Sequence, residues 1–197
     1  MKKSFLGALC LVYMFSVYGQ EIFKIAGQTH EKSHRSLIYT QWDMMSSAVS
    51  FAKSYGVSPY EYGKYTGNLV TLSKKRENDF ADFGQRTIYY WENWRTNDDE
   101  AIYIVEETNE SLVLKIPLNS MKEYFEYHNN FGVSFDEMME CIKGMEEQIA
   151  EYFKCTFKIK IEEEWSPCTT TWYPFATITV EKGDINSRSG DISSAED

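Results

Sequence analysis

Ser134-Phe135-Asp136-Glu137-Met138-Met139-Glu140-Cys141-Ile142-Lys143-Gly144-Met145-Glu146-Glu147-Gln148-Ile149-Ala150-Glu151-Tyr152-Phe153 runs almost directly into Cys155-Thr156-Phe157-Lys158-Ile159-Lys160-Ile161-Glu162. Across that junction the apolar period changes from helical to extended. Ser134 and Glu137 spell a capping box, in which each end of the motif satisfies an orphan amide of the first turn. Phe135, Met138, Met139, Ile142, Met145, Ile149 and Phe153 then recur on one helical face. Beyond it, Cys155, Phe157, Ile159 and Ile161 alternate with polar residues, the pattern of a strand with one buried face. A return strand over 172–181, with Ala176, Ile178 and Val180 facing inward, completes a hairpin that needs the helix to cover it.

Upstream, 101–107 and 111–116 are rich in apolar and β-branched residues, and Thr108-Asn109-Glu110 between them predicts a second hairpin. Pro117 ends it. Asn119 or Ser120 is placed to cap a short helix reaching about Tyr127. Three helices precede the hairpin. Ile38, Trp42, Met45, Val49 and Ala52 mark the first, which stops at Gly56. Ser58-Pro59-Tyr60-Glu61 starts the second, on which Gly63 and Gly67 imply close helix packing. Phe80, Phe83 or Gly84, Thr87, Ile88, Trp91 and Trp94 lie near one face of the third, expected over 79–95. The order predicts an α+β domain, with helices packed on a small antiparallel sheet made of two β-hairpins.

The chain opens with Lys2-Lys3, an apolar run from Phe5 to Val17, then Gly19-Gln20. That is the form of a signal peptide over 1–19, so the expected location is secreted or periplasmic. Cys10 follows Leu9 rather than a small residue, which argues against a lipid anchor. A polar leader (20–35), a single domain (36–182) and a disordered Ser-, Gly- and Asp-rich tail (183–197) are expected to follow. Loss of Lys2 and Lys3 takes the formal charge from −10 to −12. This field disfavours nucleic acid and anionic membrane surfaces as partners, and no segment of the mature chain is apolar enough to insert in a bilayer.

His30-Glu31-Lys32-Ser33-His34 spells H-E-x-x-H, in which two histidines four apart on a helix hold zinc and the glutamate polarises a water. Its place in a polar leader, its central Lys-Ser and the absence of a third histidine ligand favour a chance match over a metal site at His30 and His34. Three cysteines remain after cleavage. Cys155 and Cys168 bracket a strand and should stand on the order of 25 Å apart. Cys141 lies about 18 Å back along its helix, nearer the far end of that strand. The expected bridge is therefore Cys141 to Cys168. The competing role makes Cys141 or Cys168 a catalytic nucleophile, though neither has a histidine placed by sequence beside it.

Glu106-Glu107, Leu112-Val113-Leu114, the helix bearing Cys141, Glu162-Glu163-Glu164 and Cys168 give residues 101–180 a resemblance to known families. The segment resembles the small-molecule-binding fold shared by 4-vinyl-reductase-type domains, haem nitric-oxide-binding domains and small subunits of the Golgi transport-particle complex. It is also similar to the 2-amino-thiazoline-4-carboxylic acid hydrolase family. The resemblance implies helices closing over a sheet around a ligand pocket. No histidine or Tyr-x-Ser-x-Arg arrangement suited to haem is present, and no cofactor is expected. Aromatic residues make up 16% of the chain and must fill much of its core. The expected function is binding of a small apolar or aromatic ligand, lined by Trp42, Tyr65, Trp91, Met138, Met145 and Trp172. The alternatives are a hydrolase of the thiazoline-carboxylate type and an acidic protein that meets a basic partner; the oligomeric state is left open.

Overall fold

Four strands form one antiparallel sheet: β1 (Tyr103–Glu107), β2 (Ser111–Pro117), β3 (Cys155–Ser166) and β4 (Thr171–Lys182), in the order β1-β2-β4-β3. This is a computed structural model, which describes residues 30–72, 80–94, 101–129, 131–166 and 171–183. The two expected hairpins are joined through β2 and β4, so the sheet is continuous rather than a pair of ribbons. Three rungs carry its inner face: Leu112, Val180 and Phe157; Leu114, Ile178 and Ile159; Ile116, Ala176 and Ile161, the last of which is exposed and not buried as its alternation predicts. Leu112, Leu114, Ile116, Ala176, Ile178 and Val180 are all buried, as period-two alternation requires. β3 and β4 extend further than expected, pairing as far as Ser166 with Thr171.

Five helices are described: α1 (His30–Ser54), α2 (Pro59–Leu72), α3 (Phe80–Glu92), α4 (Asn119–Tyr127) and α5 (Phe135–Tyr152). The protein is α+β, helices on an antiparallel sheet, as the sequence predicts. α1 begins at His30, so residues 30–35 extend a helix instead of belonging to a loose leader. Glu31, Lys32 and Arg35 are good helix formers, and helix propensity outweighs the lack of an apolar face there. α4 is not capped by Asn119 or Ser120. Leu118 takes the cap position without a side-chain bond, and the Asn119 Oδ1 is buried with no partner.

The α5 capping box is complete: Ser134 accepts from the Glu137 amide at 3.1 Å, and Glu137 accepts from the Ser134 amide at 2.8 Å. α5 then packs chiefly against α2. That seam depends on missing side chains, as the Gly63 and Gly67 spacing implies. A Cβ on Gly63 would collide with the Cys141 carbonyl oxygen, and one on Gly144 with the Tyr60 carbonyl oxygen. Both obstacles are backbone and cannot rotate away. Among the described residues no helix is long and apolar enough to cross a membrane. The signal segment, Cys10, Cys168 and the residues after Gly183 lie outside the described residues.

Candidate functional site

Where α1, the C-terminal end of α3 and the β2–α4 junction meet, aromatic rings converge around a small cavity. Trp42, Trp91, Trp94, Ile116, Pro117, Leu118 and Met121 line it, and its volume is about 20 Å³. The helical period of α1 buries Trp42 on the same face as Ile38 and Val49, while that of α3 buries Trp91 on the same face as Phe83, Gly84 and Thr87. Pro117 ends β2 and delivers Leu118 and then Met121 to the cavity wall.

The rings touch in a chain. Trp42 is stacked on Tyr39 at 5.6 Å and meets Tyr124 at 5.0 Å and Trp94 at 6.3 Å. Trp94 in turn lies 4.9 Å from Tyr90 and 6.3 Å from Trp91. Offset and tilted contacts at these separations contribute about 0.5–1.5 kcal/mol per pair beyond area burial. At the outer edge the Tyr124 hydroxyl bonds to Asp43, and the His128 ring lies 5.7 Å from that of Tyr39. Burial, followed by the bond to Asp43, holds the Tyr124 phenol well above its usual range.

This cluster carries polar atoms that its packing leaves unmatched. Trp42 Nε1, Trp91 Nε1, the Ser46 hydroxyl and the Tyr90 hydroxyl are buried with no hydrogen-bond partner among the described residues. Trp42 is 1% exposed, Trp91 2% and Ser46 0%. Each buried group of this kind costs on the order of 1–3 kcal/mol while unmatched.

Beside the cluster a charge pair ties α3 to α5. Glu146 is fully buried on the inner stripe of α5, and Arg86 meets both of its carboxylate oxygens, Nη1 to Oε2 at 2.6 Å and Nη2 to Oε1 at 3.0 Å. The guanidinium also lies over the rings of Phe83 and Tyr90, at 5.8 and 5.6 Å. Burial raises the Tyr90 phenol well above its ordinary value, and the Glu146 carboxylate adds to the effect.

Of the six side chains expected to line a pocket, Trp42 and Trp91 do so. Tyr65 is 49% exposed on α2 and takes no part in the wall. Met138 and Met145 are buried in the closed core of α5, and the Trp172 side chain lies outside the described residues. Trp94, Leu118, Met121, Ser46 and the Arg86–Glu146 pair were not expected at a site. Glu146 had a visible signal, since it stands one residue past Met145 and four past Ile142 on an otherwise apolar stripe.

Cys141 is buried and in no disulfide, as is Cys155, whose thiol donates to the Phe153 carbonyl at 3.3 Å, so the expected bridge to Cys168 is not formed. The geometric argument for that bridge placed Cys141 toward the end of the sheet hairpin. Instead its carbonyl abuts Gly63 at the α2 seam, and its thiol lies within electrostatic reach of Tyr62 and Tyr90. Burial pushes the thiol up to about 12, far from the thiolate a nucleophile requires. His30 and His34 both fall on α1, four residues apart, and the His30 side chain lies outside the described residues. Among the described residues no group of three or more His, Cys, Asp or Glu could hold a metal ion.

A haem does not fit here. Its iron needs an axial ligand, and no histidine, cysteine or tyrosine stands among the described residues of the cavity wall.

No family model matches the chain, and no curated protein matches it. Among solved structures it is similar to a variant of the unliganded Fe(II) H-NOX protein from K. algicida, with a TM-score of 0.36 and 12% identity over 94% of this chain and 91% of that one. An oxygen-binding H-NOX domain related to soluble guanylate cyclases gives a TM-score of 0.38 and 10% identity over 93% of this chain and 96% of that one. A T. tengcongensis H-NOX variant gives 0.36 and 10% identity over 93% of this chain and 98% of that one. Of the families that residues 101–180 resemble, the haem nitric-oxide-binding one is thus represented among solved structures, at a superposition too loose to assign this chain a ligand or an activity.

Proposed function

We propose that this chain is an exported small-molecule-binding protein that takes up an apolar or aromatic ligand between Trp42, Trp91 and Trp94. One observation carries the proposal: three indoles, from α1, α3 and the turn just after α3, close around the cavity while two of their N–H groups have no partner among the described residues. In the closed form the cavity admits about one water. Uptake of anything larger therefore requires the α3 end, with Trp91 and Trp94, to move outward. Export rests on Lys2-Lys3 and the apolar run before Gly19, and the amino-terminal sequence of secreted material tests it, with Gln20 expected first.

Prodan, a naphthalene carrying a propionyl ketone and a dimethylamino group, is a suitable probe, because it is neutral and its fluorescence rises and shifts to the blue in apolar surroundings. The expected result is saturable fluorescence with energy transfer from tryptophan, lost in a cavity-filling Met121→Trp variant that keeps the native circular dichroism. Linear, unsaturable fluorescence with the native protein would refute the proposal.

A further inference from the structure

Resting on that binding proposal, we infer that the ligand presents a neutral hydrogen-bond acceptor, of the ketone, aldehyde or ester type, to the indole N–H groups of Trp42 and Trp91. The argument is an inventory of the cavity wall. Its side chains are three indoles, Ile116, Pro117, Leu118 and Met121. Indole is a donor and never an acceptor, and the thioether of Met121 accepts only weakly. The wall therefore supplies donors and almost nothing to receive one. Trp42 and Trp91 are both buried, and both lack a partner.

A ligand bearing only donors, a pyrrole or an indole for example, would leave these groups unmatched and bury its own as well. A cation finds no carboxylate in the wall. An anion finds no free charge, because Arg86 is already engaged by Glu146 on both of its forked nitrogens. A neutral acceptor on an aromatic or apolar body is the class that satisfies the donors without bringing an unpaired charge into the core.

Acetophenone and α-methylstyrene have nearly the same shape and differ by C=O against C=CH₂. The alkene is the more hydrophobic, so a pocket that sorted ligands by apolar burial alone would prefer it. Titration of protein carrying ¹⁵N-labelled tryptophan with each compound measures affinity and reports each indole N–H directly. The expected result is that acetophenone binds at least as tightly as α-methylstyrene and moves the Trp42 and Trp91 N–H resonances downfield, while the alkene does not. Trp42→Phe and Trp91→Phe should restore the preference for the alkene; the wild-type resonances decide the matter if either variant fails to fold. Tighter binding of α-methylstyrene, with no downfield shift from the ketone, overturns the acceptor inference and leaves the binding proposal standing. Binding of neither compound overturns both.

Discussion

Replacing Arg86 by methionine should be among the most costly single changes outside the apolar core. Methionine keeps an apolar stem of similar length but removes the guanidinium, which lies over Phe83 and Tyr90 and meets both oxygens of Glu146. Glu146 is 0% exposed, so water cannot replace the lost bonds. Removing one partner of such a buried pair costs about 3–5 kcal/mol, because the other charge is left uncompensated. Against a total stability of about 5–15 kcal/mol for a domain, that is a third or more in most cases. The double variant Arg86→Met, Glu146→Leu should recover most of the loss, since an apolar pair of similar volume needs no desolvation of charge. Urea unfolding followed by tryptophan fluorescence and by far-ultraviolet circular dichroism gives the three free energies. The pair also ties α3 to α5, so Arg86→Met should admit Prodan faster than the native protein. An Arg86→Met variant within about 1 kcal/mol of wild type, or a double variant weaker than the single one, would refute the reasoning.

Gly144→Ala should lower the urea midpoint by the equivalent of about 1–3 kcal/mol or more, because its Cβ meets the Tyr60 carbonyl and the helices must part; a midpoint equal to wild type would show that the α2–α5 seam is looser than described. Iodoacetamide at pH 8 should leave Cys141 unmodified in the folded protein and modify it after denaturation, since the thiol is buried and pushed up to about 12; peptide mass mapping reads the outcome. Burial pushes the Glu137 carboxyl up, but hydrogen bonds from Lys53 and from Ser134 outweigh it and hold the group below its usual range. Its contribution to stability is therefore complete above the ordinary carboxylate value near 4.5 and is lost as pH falls through the lower folded-state value, and Glu137→Gln should flatten that part of the acid-unfolding curve.

The frame was legible because it rests on local chemistry. The Ser134 to Glu137 box, the alternation through Phe157 and Ile159, and the Gly63 to Gly67 spacing each report a choice made within a few residues. The site was not, because a helical period says which face is buried and not what it is buried against. Trp42 and Trp91 could be assigned to inner faces, yet so could Met138 and Met145, and only the packing separates a cavity wall from closed core. Tyr65 shows the opposite limit: an aromatic residue on a helix of mixed character points outward once Gly63 and Gly67 have fixed which side of α2 meets α5.

The disulfide argument failed for a related reason. It measured distance along α5 and β3 as rods, while the side-chain direction of Cys141 is set by the rotation of α5 about its own axis. That rotation is fixed at two places, Gly144 against Tyr60 and Glu146 against Arg86. Both place α5 with respect to other helices, not to the end of the sheet hairpin. The two contacts assign α3 a different status from α2. α2 is locked to α5 by backbone contact, whereas α3 holds on by a charge pair and four buried residues. α3 is the helix that carries Trp91 to the cavity, and parting it from the core would break the Arg86–Glu146 pair and expose Phe83.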